Sequence, residues 1–294
     1  PEGASAPENK DNSGTATKED ITPSEPQYPD YKADIEKELS SPAPDAQSGV
    51  NNMAAFLALS LEQRNIEIQK EIDKKAQLQR ELEKKKKEDD EYQLRMAATQ
   101  PGGGGSGGLL SKLGLGGGRS SKNAQLYNEE IKALKNESSE LTKQQMWNSL
   151  KRKNIVDSVS AYNQNTKRIN DALQYSKGLT SPSDIDAMKK QVTTLKSNLV
   201  QNLDGFNANM ESVMRKDAEL TSESKPGLIG NKQEMLDKFS NSLDTVNPFN
   251  TDNNPVAEEI KKDTGLDEAN KGMMKKMQES IKAFIEALMS MFKR

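Results

Sequence analysis

Neither cysteine nor histidine occurs in the 294 residues of this chain. Without cysteine there is no disulfide framework and no thiol nucleophile. Without histidine the usual general base, the commonest metal ligand and the usual pH switch are missing, and the ordinary zinc sites go with them. The double absence leans toward a structural or exported protein, and an extracellular or virion location is favoured over the cytoplasm. Aromatic residues are scarce, at 4%, and apolar residues make up 32% against 30% charged. Globular domains are about 45–50% apolar, so a thick core is not expected. Narrow seams between long helices and polar tails are what this composition allows. No apolar run approaches the roughly eighteen residues of a membrane-spanning helix.

The net charge of −3 is unevenly spread. Residues 1–49 hold eleven acids against four lysines, net −7, and the remainder holds 38 basic and 34 acidic residues, net +4. That surplus is too small to support a nucleic-acid partner. The same first 49 residues contain seven of the twelve prolines and read as a disordered acidic tail. Ten of the nineteen glycines fall between Pro101 and Gly118, which marks 100–121 as a flexible linker.

What the sequence does have is helical periodicity. Residues 50–99 read as one long helix, opened by Met53, Phe56, Leu57 and Leu61 and fading into the block Lys84-Lys85-Lys86-Lys87-Glu88-Asp89-Asp90-Glu91. That block pairs with itself at i,i+4, as a solvated helix face does. Residues 122–224 are expected to form a coiled-coil hairpin or bundle. Two apolar phases run through 122–177, and Met146, Trp147 and Leu150 sit where the phase changes, so two helices or one shifted helix is predicted there.

The strongest seam follows, at Ile185, Met188, Val192, Leu195, Leu199, Leu203, Phe206, Met210 and Val213. These steps of three and four bury one narrow stripe against another helix. Ser181-Pro182-Ser183-Asp184 supplies a capping box and a proline at the first helical position. The short turn at Gly178 predicts an antiparallel hairpin of 155–177 with 183–222 as the stable unit. Residues 225–266 are expected to be loop and short helices, one of them within 231–245. Residues 267–294 form a methionine-rich amphipathic helix with Met277, Ile281, Phe284, Ile285, Leu288 and Phe292 on its apolar face.

Apparent motifs have plain readings. The glycine stretch lacks the Gly-Lys-Ser/Thr of a phosphate loop, and Asp252-Asn253-Asn254 lacks the glycine and glutamate of a calcium loop. No serine has a base to activate it. The sequence therefore implies no catalytic residue, no cofactor and no metal site. The candidate interaction residues are the nine of the seam and the six of the C-terminal helix. That last helix, flanked by lysines, suits self-packing, a protein groove or a peripheral membrane contact. Deleting 272–294 is expected to remove partner or oligomer contact while 155–222 stays folded.

Two stretches resemble the needle-tip and filament proteins of bacterial type III secretion. One is Asn51-Asn52-Met53-Ala54-Ala55-Phe56-Leu57-Ala58-Leu59 running on through 66–82. The other runs from Ser183-Asp184-Ile185-Asp186-Ala187-Met188 through Asn207-Ala208-Asn209-Met210-Glu211. The resemblance is one of plan: a polar N-terminus, a helix with an apolar opening, a variable middle and a long second helix. The chain is nearly as similar to internal, ejection and scaffolding proteins of tailed phages. Either likeness implies a non-enzymatic assembly component of a delivery apparatus, with protein partners and a homo-oligomer or larger assembly. A cytosolic coiled-coil adaptor is the remaining class.

Overall fold

The computed structural model describes residues 48–99, 122–223, 225, 227–229, 236, 240–241, 243, 247–251 and 253–292. The expected acidic tail and glycine-rich linker, and most of the helix expected within 231–245, lie outside them. The described residues form α-helices and no strand: α1 (Ser48–Thr99), α2 (Lys122–Tyr175), α3 (Pro182–Ser222), α4 (Pro255–Asp263) and α5 (Leu266–Phe292). A 3-10 turn at Ser176–Gly178 joins α2 to α3. The fold is all-α, as the periodicity predicts.

α1 is 52 residues long, about 78 Å, and begins two residues ahead of the sequence boundary at 50. Its polar half is held by side-chain pairs four apart: Gln69 to Asp73 (3.0 Å), Gln79 to Glu83 (2.8 Å) and Lys84 to Glu88 (3.8 Å). α2 runs unbroken for 54 residues. The change of apolar phase near Trp147 is therefore not a break between helices. Leu150 and Met146 of this stretch are left exposed, and Trp147 packs against the core.

α1 and α2 are antiparallel, and each step up one is matched by a step down the other. Asn51 lies opposite Asn163, Glu62 opposite Arg152, Asn65 opposite Asn148, Lys75 opposite Glu137 and Lys86 opposite Asn128. α3 returns along α2, bringing Asn209 to within 3.4 Å of Lys151 Nζ. α5 then runs parallel to α3, with Lys276 on Asp204 (2.6 Å) and Ser280 on Glu211 (2.7 Å). The expected α2–α3 hairpin is thus one pairing among three.

Caps set the short connections. Ser181 is the N-cap residue of α3 and Pro182 takes the first turn, but the serine side chain makes no capping bond. Its carbonyl instead accepts from Asp184 and Ile185 N–H at 3.1 Å. The Asn254 side chain caps α4 through Val256 N–H (3.1 Å) and Ala257 N–H (3.3 Å). It also donates to the Leu173 carbonyl at 3.2 Å, tying α4 to the end of α2. Gly265 turns the chain from α4 into α5 at φ +60°, a conformation that costs glycine nothing.

One apolar cluster joins Val50–Leu61 of α1, Ile155–Leu173 of α2, the α3 seam, the buried side chains of 228–249, and α4 with α5. Ile68, Ala124 and Ile131 are buried outside that cluster, farther along α1 and α2. The described residues thus make a multi-helix base and a two-helix stalk.

Candidate functional site

All nine seam residues face into the base. Val192, Leu199, Leu203, Met210 and Val213 are fully buried, Phe206 and Met188 nearly so, and Ile185 and Leu195 are half-buried against the same cluster. On α5, Met277, Ile281, Phe284 and Leu288 are buried and Ile285 packs at the edge. Phe292 closes the helix, and its side chain lies outside the description. Both candidate faces are therefore covered by the chain's own helices. α3 takes α2 on one flank and α5 on the other, so its buried face extends beyond the nine-residue stripe to Asn207, Met214, Asp217 and Leu220. The width of the α5 face has the same origin. It covers α3 and also the 228–249 segment, where Gln278 donates to the Ser240 carbonyl at 2.8 Å.

Buried polar groups fix how the helices meet. Asn148, fully buried, donates to Asn65 Oδ1 at 2.9 Å, and Asn65 donates to Ser149 Oγ at 2.9 Å. Gln145 adds bonds to the Asn65 carbonyl and to Gln69 Oε1, both at 3.2 Å. A one-turn slip of α1 on α2 would break all of these in a buried setting. Replacing Asn148 by alanine is expected to cost about 1–3 kcal/mol, the penalty of stranding a buried partner. The urea midpoint of the full chain measures this, and an unchanged midpoint would refute the pinning role.

A second fixed point lies at the end of α3. The Asp217 carboxylate, 2% exposed, accepts the backbone N–H groups of Leu228 (2.5 Å) and Ile229 (2.8 Å). This carries the chain leaving α3 back onto it. Gly227 is required there, because a Cβ would stand 2.5 Å from Asp217 Oδ1. Asp217→Ala leaves two buried donors without their acceptor and is expected to cost about 2–5 kcal/mol. Thermal unfolding followed by circular dichroism reads it, and a loss below about 0.5 kcal/mol, the range of exposed substitutions, would contradict the assignment.

Three perturbed groups, Glu62, Lys189 and Lys276, take part in ion pairs between helices. Burial raises the Glu62 carboxyl above its ordinary range, and Arg152, 3.5 Å away, pulls it back. Lys189 donates to the Asp263 and Glu259 carboxylates, each at 2.7 Å, and these bonds hold its ammonium well above the usual lysine range. Asp204 does the same for Lys276.

Where α3 ends against the hairpin, an open groove of about 940 Å³ forms over Leu141, Trp147 and Leu220. Its rim alternates in sign. Arg64 reaches Glu71 at 3.4 Å, Lys75 pairs with Glu137, and Lys216 meets Glu219 at 2.9 Å. Lys151 lies 5.7 Å from the centre of the Trp147 ring. Rim charges that answer one another suit a polypeptide face of mixed charge better than a small anion. The one tryptophan of the chain lines this groove. Among the described residues no cluster of acids could hold a metal ion.

Among the described residues, only the stalk continues beyond the groove. From Lys75 to Thr99 it reaches roughly 36 Å further, at 1.5 Å per residue. The pattern of isolated apolar residues in a charged helix was the sequence signal for such an extension. Its partner could not be read from α1 alone, because 22 residues separate the end of α1 from the start of α2. No family model, curated protein or solved structure matches the chain.

Proposed function

We propose that the chain is a non-enzymatic structural subunit, a helical component of a macromolecular delivery apparatus of the type III tip or translocator kind. One observation carries the reading: an antiparallel helix pair continues far past the helical base that anchors it. A stalk of this form sets a distance between two attachment points. Its register is held by Asn65 and Asn148, as a spacer of fixed length requires. The perturbed charged groups Glu62, Lys189 and Lys276 are spent joining one helix to another, which fits a structural use of charge.

The test is location in the producing cell. An antibody against the chain should find it in the medium or at the cell surface, in material of higher mass than the monomer. Confinement to the soluble cytoplasm as a monomer would overturn the proposal. Co-purification with phage particles would overturn it in favour of an internal virion protein.

A further inference from the structure

One stripe of the stalk lies beside the face that α1 turns to α2. Leu78, Leu82, Lys85, Asp89, Tyr92 and Met96 follow one another along α1 at steps of four, three, four, three and four, the spacing of a helix–helix seam. Leu78 (42%), Tyr92 (57%) and Met96 (51%) are exposed. Lys85 is exposed too, and Leu82 and Asp89 are half-buried. The residues that meet α2 along this length, Lys75 on Glu137 and Lys86 on Asn128, lie roughly a quarter-turn away round the helix, at 3.6 residues per turn. A solvated helix face has no need of large apolar side chains in register.

The stripe is complementary to itself. Leu78 with Met96, Leu82 with Tyr92, and Lys85 with Asp89 are each centred on residue 87. A second copy running antiparallel about a two-fold axis at that level sets apolar against apolar at both ends and lysine against aspartate in the middle, each contact being made twice. A parallel copy would set Lys85 on Lys85 and Asp89 on Asp89, and like charges brought together repel. Symmetry about one point serves a copy of the same helix and not an unlike partner. The stalk from Lys75 to Thr99 has its own middle at residue 87 as well. Two stalks paired in this way overlap along their whole length, and the helical bases stand at opposite ends, clear of each other.

We propose that the stalk is a self-association surface, and that its occupant is a second copy of this chain packed antiparallel along the stripe. The contact from residue 78 to residue 96 is about 27 Å long, which is short for an obligate dimer and suits a reversible one. Such a dimer carries two bases at the two ends of one spacer. The proposal deepens the reading of the chain as a structural subunit. It is tested on the purified protein, whereas that reading is tested by location in the cell, so either can fail alone.

Sedimentation velocity of the full chain should show a monomer–dimer equilibrium at concentrations up to about 100 μM, the region of weak specific contacts. Lys85→Glu should weaken the dimer by about tenfold or more at unchanged helicity. Adding Asp89→Lys to that variant should restore it, because the charge pair is then reversed on both copies. Lys87→Glu makes the same change of charge on the opposite side of the helix and should leave the dimer as it is. The absence of cysteine from the chain allows a direct reading. Leu78→Cys with Met96→Cys should give a disulfide-linked dimer on mild oxidation. The two positions lie about 27 Å apart on their own helix, too far to join within one chain. Neither single cysteine variant should cross-link. A chain that stays monomeric, a double charge variant that does not recover, equal loss through Lys87→Glu, no link in the double cysteine variant, or a link in either single one would each overturn the proposal.

Discussion

Replacing Leu199 and Leu203 together with aspartate is expected to unfold the helical base. Both side chains are fully buried at the middle of α3, between α2 and α5. Each substitution removes a leucine worth about 2–5 kcal/mol in a packed core. It also buries a carboxylate with no partner, whose cost is several kcal/mol before the group neutralises itself by taking up a proton. The sum matches or exceeds the 5–15 kcal/mol that stabilises an ordinary domain. Circular dichroism at neutral pH should show a large fall in helicity. The buried carboxyls would have raised pKa values in the folded state, so folding is favoured where they are protonated. Stability should therefore rise as pH falls through that raised range. Leu150→Asp places the same charge at an exposed position of α2 and should change the midpoint by no more than about 0.5 kcal/mol. Native helicity in the double variant would show that the seam is not the centre of the core.

Truncation after Lys271 should have a comparable effect. The periodicity alone suggested that α3 and α2 would stand without the last helix, and the structure changes that expectation. Residues 272–292 supply Met273, Met274, Met277, Ile281, Phe284 and Leu288 to the common core, all less than 9% exposed. At about 1.5–3 kcal/mol for each fully buried side chain, their removal withdraws roughly 10 kcal/mol or more. It also uncovers the facing side of α3, from Leu199 to Val213, to water. The truncated chain should lose cooperative unfolding, bind hydrophobic dyes and associate non-specifically. A monomeric truncation product with an unchanged thermal midpoint would show that α5 is an appendage and return it to the role of a partner-binding helix.

These two outcomes also indicate how far the residues could be read unaided. The α3 seam was legible because leucine, methionine and valine recur at steps of three and four over a long stretch. The pairing of Lys84 with Glu88 was legible because both lie on one helix. Asp217 was not, since a lone aspartate in a polar helix gives no sign that two backbone N–H groups eleven and twelve residues on will converge on it. Asn65 and Asn148 were visible only as polar interruptions of an apolar stripe, and nothing local says that they meet. The exposed end of α1 was hidden for a related reason. Tyr92, Leu94 and Met96 are unremarkable until the register of α1 on α2 places them at and just past the start of α2.

The sequence by itself determined that the chain is helical, where the long helices lie and which side of each is apolar. These depend on neighbours within four residues along the chain, through the 3.6-residue repeat, the caps and the absence of breakers. Tertiary structure alone decided which faces meet: α1 with α2 across the glycine-rich interval, and α3 shared between α2 and α5. The reason is that burial of apolar surface is non-directional. It selects a face without naming a partner, and the partner is settled only where buried amides and ion pairs from distant parts of the chain find one another.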